Sequence, residues 1–169
     1  MAGPLRTRPS LPSQLTVALG HAAEVSAARI ARLLDPAVTG LAAQLAVTPG
    51  PDAGFVTVHK RAAGEVHALR RLAGSTAVGL IETSGGQEDV QSFAWEAAET
   101  LRSALRHAQV VTACELLTAY QAVALSRQSW PAGCRGMLER LAETIGPIEE
   151  DRPFGEDIER LLAAGWQAR

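Results

Sequence analysis

This sequence is poor in aromatic residues, in cysteine and in net charge of either sign. Trp, Phe and Tyr make up 4% of 169 residues, whereas hydrophobic residues make up 47%, mostly as alanine, leucine and valine, a bias that favours closely packed helices. A net charge of −2 provides no broad basic surface, so neither nucleic acid nor anionic lipid is expected as a partner. Two cysteines, Cys114 and Cys134, cannot build a disulfide framework, which indicates reduced thiols in a cytoplasmic protein.

Long apolar runs and the common catalytic motifs are also missing. No run reaches the length of a membrane span, and the N-terminus lacks the apolar stretch of a secretory signal, so no membrane association is expected. The sequence contains no G-x-S-x-G motif, no phosphate-binding loop and no cysteine–histidine signature. The histidines lack the spacing of metal ligands, so each is interpreted as a solvated or core residue and no metal site is expected. They are His21, His59, His67 and His107.

Helical spacing of apolar residues is what the sequence has instead. Residues 1–12, with three prolines and two arginines, predict an extended arm, and residues 13–169 predict one helical domain. Ser13 is the predicted N-cap of the first helix, and Asp35-Pro36 ends that helix because proline disfavours the helical conformation of the residue before it. Residues that recur every three or four positions predict the apolar face of this helix. These residues are Leu15, Ala18, Leu19, Ala22, Val25, Arg29, Ile30, Leu33 and Leu34.

A long central helix is predicted between Gln87 and Trp130, where there is neither glycine nor proline. Its second half, Val110–Leu125, is apolar on nearly all sides. A helix of that kind must be surrounded by other helices, and this chain offers few of comparable length, so we expect other chains to complete the core. The remaining predicted elements are a short helix around 38–46, helices over 55–72, 134–144 and 156–166, and a loop over 73–86.

Glu115 lies inside the apolar half of this helix. A buried carboxylate needs a partner, and an arginine from this or another chain is expected. We interpret Glu115 as a structural buried charge that fixes helix register, in preference to a catalytic group.

The segment Thr83–Val90, with sequence T-S-G-G-Q-E-D-V, has two compatible interpretations. As a helix start, Ser84 is the N-cap and Gln87 completes a capping box, while the acidic residues complement the helix dipole. As a site, the glycines allow close approach to a ligand, and Gln87 and Glu88 project into a cleft. A carboxylate there could hold a substrate ammonium group or take its proton.

The run Gly86–Ser92 resembles the N-Q-E-D-x-x-S segment of histidine ammonia-lyases and the related aromatic amino acid lyases and aminomutases, with Gly86 in place of the asparagine. Ser26–Asp35 resembles that family's S-E-R-R-I-A-x-L-L-D helix, and Glu115–Leu117, with Ala119 and Gln121, resembles its I-E-L-L-A-A-x-Q helix. Shorter matches follow the same order, at Gly40-Leu41, Ala53–Phe55, Glu150–Arg152 and Asp157–Glu159. Together the matches run from about Ser13 to Leu162 and correspond to the C-terminal part of a much longer enzyme.

The resemblance implies an all-α fold: a long-helix bundle that forms part of the aromatic amino acid lyase fold. Family members are tetramers in which helices from several subunits share one bundle and build each active site together. Their electrophile, a methylidene-imidazolone, forms from an Ala-Ser-Gly tripeptide, which does not occur in these 169 residues. We therefore expect no cofactor in this chain and the electrophile on a partner. By the same resemblance Glu88 is the catalytic residue near the substrate amino group, and Gln87 binds substrate beside it.

The expected function is that of a small, C-terminal-type subunit of a split aromatic amino acid or histidine ammonia-lyase or aminomutase. A larger subunit with the Ala-Ser-Gly motif would be its partner, together with self-association, and an amino acid its substrate. The chain alone is not expected to be active. The alternative is a non-catalytic scaffold or regulatory relative, with which Gly86 and Ala28, where the family often has arginine, are consistent. An unrelated helical protein is a third reading.

Overall fold

The computed structural model describes residues 11–74, 85, 94–126 and 132–165. Over these residues the chain is all-α, as expected, with no β-strand among them and one isolated bridge between Pro49 and Asp52. The helices of the described part are α1 (Leu11–Leu33), α2 (Pro36–Thr39), α3 (Val56–Leu72), α4 (Ala94–Ser126), α5 (Arg135–Ile145) and α6 (Phe154–Ala163). Short 3₁₀ turns at Ala43–Leu45 and Ala132–Cys134 join them.

Helices α1, α3 and α4 form the main bundle. Arg70, near the end of α3, donates to Glu24 of α1 at 2.7 Å, whereas His59, near the start of α3, lines a cleft with Leu34 just after α1. Helix α3 therefore runs antiparallel to α1.

Helix α4 is antiparallel to α3 and consequently parallel to α1. Glu65 of α3 contacts His107 of α4, and the charge of Arg61, one turn earlier on α3, acts on Cys114, two turns later on α4. This long helix has 33 residues, which corresponds to about 50 Å.

The first helix begins earlier than predicted. Helix α1 starts at Leu11, so Ser13 lies inside it and is not its N-cap. Proline is tolerated in a first helical turn because the backbone N–H it lacks has no partner there, and Thr16 Oγ1 donates back to the carbonyl of Pro12 at 3.0 Å. The last two residues of the predicted arm thus belong to α1, and residues 1–10 lie outside the described part.

The buried face of α1 also differs from the prediction. Ile30 is buried as predicted, but the other buried residues are small or polar, and four of the predicted apolar positions are exposed. The buried residues are Thr16, Gly20, Ala23, Ser26 and Ile30; the exposed ones are Leu15, Ala18, Ala22 and Val25. The prediction failed because α1 carries small or apolar residues on two sides, and spacing alone cannot say which side the other helices cover.

The connection between α1 and α3 replaces the predicted helix around 38–46 with short turns. The Asp35 side chain accepts from the backbone N–H of Ala37 at 2.8 Å and caps α2, which ends at Gly40 with a φ of 67°. Gln44 and Leu45 adopt φ angles of 58° and 54°. Residues other than glycine adopt this left-handed backbone conformation only at a cost in free energy.

The apolar half of α4 is better covered than the sequence suggested. Only Thr112 and Ala124 are exposed within Val110–Leu125, because α1, α3 and α6 pack around it. The expectation that this chain could not cover that segment was therefore wrong. Exposed apolar side chains lie instead at the start of α4, where Trp95 is 78% exposed, and on α1.

Helices α5 and α6 close the C-terminal end of the bundle. Each begins or ends within two or three residues of its predicted bounds, and Trp166, the predicted end of α6, lies outside the described residues. The ring of Phe154 at the start of α6 lies 4.5 Å, centroid to centroid, from that of Phe55. This contact ties α6 to the start of α3.

Among the residues that the structure describes, one helix, Trp95–Ser126, is long and apolar enough to cross a membrane by length and composition alone. The expectation that no run reaches that length was thus wrong on this test. The most apolar stretch of this helix is 44% buried in the protein. Because the core helices of globular proteins can be equally long and apolar, this length and composition are weak evidence of membrane insertion.

Candidate functional site

The predicted site residues Gln87 and Glu88 lie outside the described residues, as do the predicted cap Ser84 and the rest of Gly86–Phe93. Gly85 is described, is exposed, and has a φ of 63°, a conformation that favours glycine. The roles assigned to Gln87 and Glu88 stay predictions.

Glu115 has the arginine partner that the sequence predicted, and the arginine belongs to the same chain. Both Nε and Nη2 of Arg29 donate to its carboxylate, the latter at 2.9 Å. Ser26 Oγ donates to the same carboxylate at 2.6 Å. The Glu115 side chain is 21% exposed and that of Arg29 is 55% exposed, so the pair is half-buried and joins α1 to α4 at the bundle surface.

Two opposing effects set the ionisation of Glu115. Burial raises the pKa of its carboxyl group, but the hydrogen bonds from Arg29 and Ser26, together with the Arg29 charge, outweigh burial and leave the pKa below its usual value. The Arg29 pKa is raised by the same contact. These contacts favour the ionised carboxylate of Glu115, and its register-fixing role stays a prediction.

A second polar cluster lies between α3 and α4, and sequence spacing did not reveal it. Glu65 accepts from Arg61 Nε at 2.7 Å and contacts Nδ1 of His107. Cys114 lies close by in the core, where burial raises the pKa of its thiol to about 12. Within the described part of the chain, no group of three or more His, Cys, Asp or Glu side chains could hold a metal ion.

The acidic turn after α5 is more than a solvated loop. Glu149 and Glu150 are exposed, but the Asp151 carboxylate accepts from the backbone N–H of Ala53 at 2.6 Å and from that of Gly54 at 3.0 Å. Asp151 thus holds the loop before α3 from a position 97 residues later in the chain.

Asp157, buried with only 1% of its side chain exposed, is a further charged residue that the sequence did not single out as a core group. Arg152 donates to both of its carboxylate oxygens, at 2.9 and 3.1 Å, and Arg160 donates at 3.1 Å. Arg152 also donates to the carbonyls of Ile145 and Pro147. The spacing of Arg152, Asp157 and Arg160 could have indicated this network, since all three flank or lie on one short helix.

Gln121, which the family resemblance singled out, is fully buried at the C-terminal end of α4. Neither amide atom of its side chain has a hydrogen-bond partner among the described residues, which is uncommon for a buried amide. Its neighbour Tyr120 donates to the carbonyl of Gly146 at 3.2 Å.

A small open cleft of about 250 Å³ lies where α1, α2 and α3 meet, lined in part by Asp35, Gln44 and His59. Small-molecule sites are usually larger and more enclosed. Asp35 Oδ1 already accepts the hydrogen bond that caps α2.

The family model of aromatic amino acid lyases matches residues 13–144. The chain belongs to the aromatic amino acid lyase family. Histidine ammonia-lyase from Halalkalibacterium halodurans is 32% identical over 153 residues, which is 90% of this chain and 30% of that protein.

Solved structures of this family superpose closely on the described bundle. Histidine ammonia-lyase from Trypanosoma cruzi matches with a TM-score of 0.86 and 27% identity, over 91% of this chain and 31% of the other. Tyrosine aminomutase from Streptomyces globisporus matches with a TM-score of 0.85 and 25% identity, over 90% and 30% of the two chains. The chain therefore spans about 30% of the length of its relatives and has a partial lyase fold.

Proposed function

We propose that this chain is the small, C-terminal-type subunit of a split ammonia-lyase or aminomutase acting on an aromatic amino acid or histidine. The proposal rests on how much of each protein the match covers: this chain matches its relatives over nine tenths of its own length but over only 30% of theirs. Its 169 residues contain no Ala-Ser-Gly tripeptide. A larger chain would supply the rest of the fold.

Glu88 is the residue of this chain that we assign to the chemistry. The methylidene-imidazolone of the larger chain would supply an electrophile for the substrate amine. The Glu88 carboxylate, in a segment that begins with glycines and ends at α4, would hold the substrate ammonium group or accept a proton from it. Gln87 would orient the substrate beside it. In keeping with the family, the assembly would act in the cytoplasm.

A reconstituted complex tests this assignment. The chain is co-expressed with a candidate larger chain, such as the product of a neighbouring gene that contains Ala-Ser-Gly, and lyase activity is followed by cinnamate- or urocanate-type absorbance. We expect activity only when both chains are present. Glu88→Gln is expected to reduce kcat by about 10²–10⁴ because it removes a proton-transferring carboxylate.

Glu96→Gln provides a matched control. Glu96 is exposed in the first turn of α4, and the substitution makes the same charge change near the same helix start. It is expected to leave the kcat of the assembled complex unchanged. Full activity in Glu88→Gln would remove Glu88 from the mechanism, and an assembled but inactive wild-type complex would favour the scaffold alternative.

A further inference from the structure

Helix α1 presents an uncovered apolar stripe to solvent. The stripe consists of exposed residues spaced by four, three, four and three positions: Leu11, Leu15, Ala18, Ala22 and Val25. The opposite side of the same helix packs on α3 and α4. Spacing that alternates between three and four is the pattern by which one helix packs along another.

Most of this stripe lies in a part of α1 without formal charge, and charged residues, Glu24 and Arg29, lie only beside its last member, Val25. From Leu11 to Ala23 there is no Asp, Glu, Lys or Arg, and His21 is the one titratable side chain. By contrast, the exposed side of α5 carries Arg135, Glu139 and Arg140. Exposed helix faces are normally rich in charge, so this face is suited to burial against another apolar surface.

Further exposed apolar groups lie at the same end of the bundle. Helices α1 and α4 run parallel, and the contact of Ser26 with Glu115 joins residues 89 positions apart. With equal rise along both helices, Leu15 is level with Ala104, next to the exposed Leu105. Trp95 lies in the first turn of α4, and exposed tryptophans are frequent anchors of interfaces.

We propose that the α1 stripe, with Trp95 at its end, is the surface on which a helix of the larger lyase chain docks. The inference rests on the proposed function. More than two thirds of a relative's length lies outside the region matched here, which supplies the missing helices. Alanines at the centre of the stripe allow a close approach, and the lack of charge favours an apolar partner over an electrostatic one.

Cysteine protection tests the surface directly. In a Cys134→Ser background, single cysteines are introduced by Ala18→Cys in the stripe and by Val38→Cys, an exposed position on α2. Both variants are labelled with a maleimide, alone and in complex with the larger chain. We expect the complex to slow labelling at position 18 by about tenfold or more and to leave position 38 unchanged, because thiol reactivity follows exposure.

A charge substitution gives an independent measurement. Ala22→Glu is expected to weaken binding of the larger chain by about tenfold or more, since it buries an unpaired charge, whereas Val38→Glu is expected to have no effect. Circular dichroism of the isolated variants checks that each remains folded. A complex that forms without protection at position 18, and that tolerates Ala22→Glu, would overturn the docking surface and leave the proposed function intact. Failure of the unmodified chain to bind any Ala-Ser-Gly chain would overturn both.

Discussion

Single side chains in this fold act mainly by satisfying polar groups of distant elements. Glu115 is the best example, since its carboxylate accepts hydrogen bonds from Arg29 and Ser26 on another helix. Its partner type was predictable, because a carboxylate in an apolar helix needs a cation. Which arginine it is, and that the pair is only half-buried, depended on how α1 is rotated, which spacing did not determine.

Glu115→Gln is expected to destabilise the protein by about 1–3 kcal/mol at neutral pH, because it removes charge-assisted hydrogen bonds. The pKa of Glu115 is lowered from 4.5 by these contacts, so the stabilisation is present above pH 4.5 and is lost as the pH falls through the folded-state pKa. Urea unfolding at pH 7 and in steps below pH 4.5 measures both effects. Glu99→Gln, at a more exposed glutamate on the same helix, is the control and should change stability little. Equal stability of Glu115→Gln and wild type at pH 7 would contradict the structural role.

At the scale of elements, the sequence predicted the helices well and their faces less well. The bounds of α3, α5 and α6 agree with those predicted from the sequence to within a few residues, because glycine and proline residues interrupt the helical pattern between them. The buried face of α1 was predicted only in part: Ile30 is buried as expected, but the first half of the predicted face is exposed, since both sides of this helix are apolar or small. The turn at Ala43–Leu45 was also missed, because its left-handed backbone is held by contacts with other segments: Gln44 N donates to Leu34 O at 3.0 Å and Phe55 N donates to Gln44 O at 2.8 Å.

The loop before α3 requires glycine at position 54. Its φ is +63°, and an added Cβ would lie 2.4 Å from the carbonyl oxygen of Gln44. Gly54→Ala is therefore expected to cost about 2–5 kcal/mol from the left-handed conformation and the clash. Gly64→Ala, at a helical position with open space, should instead stabilise by about 0.5–1 kcal/mol. Thermal unfolding of both variants checks the contrast, and similar melting temperatures would show that the loop relaxes.

At the scale of the whole molecule, motifs that follow the family's order along the chain predicted both the fold and the family. The roles of Gln87 and Glu88 stay predictions. Gln87 and Glu88 lie outside the described residues, so their prediction still depends on the family resemblance. The expectation that this chain cannot cover the apolar half of α4 was wrong, and the uncovered apolar surface lies on α1 and at Trp95. That other chains complete the core stays a prediction.

The two thiols report on the packing of the entire bundle. Cys114 is buried and Cys134 is exposed, and burial raises the pKa of Cys114 to about 12, so little of its reactive thiolate exists near pH 8. We expect a thiol reagent such as DTNB to label one cysteine quickly in the native chain and both in denaturant. Cys134→Ser should abolish the fast phase, and a fast phase that survives it would show that α3 and α4 separate in solution.

The Asp151 contact has a consequence for synthesis on the ribosome. The loop at Ala53 and Gly54 obtains its carboxylate acceptor only from a residue nearly a hundred positions later. Helices α1 and α3 therefore emerge from the exit tunnel long before the group that secures the turn between them has been translated. During that interval the nascent segment relies on helix pairing and on the backbone hydrogen bonds of Gln44, and it would be a natural client for a chaperone that shields apolar surfaces.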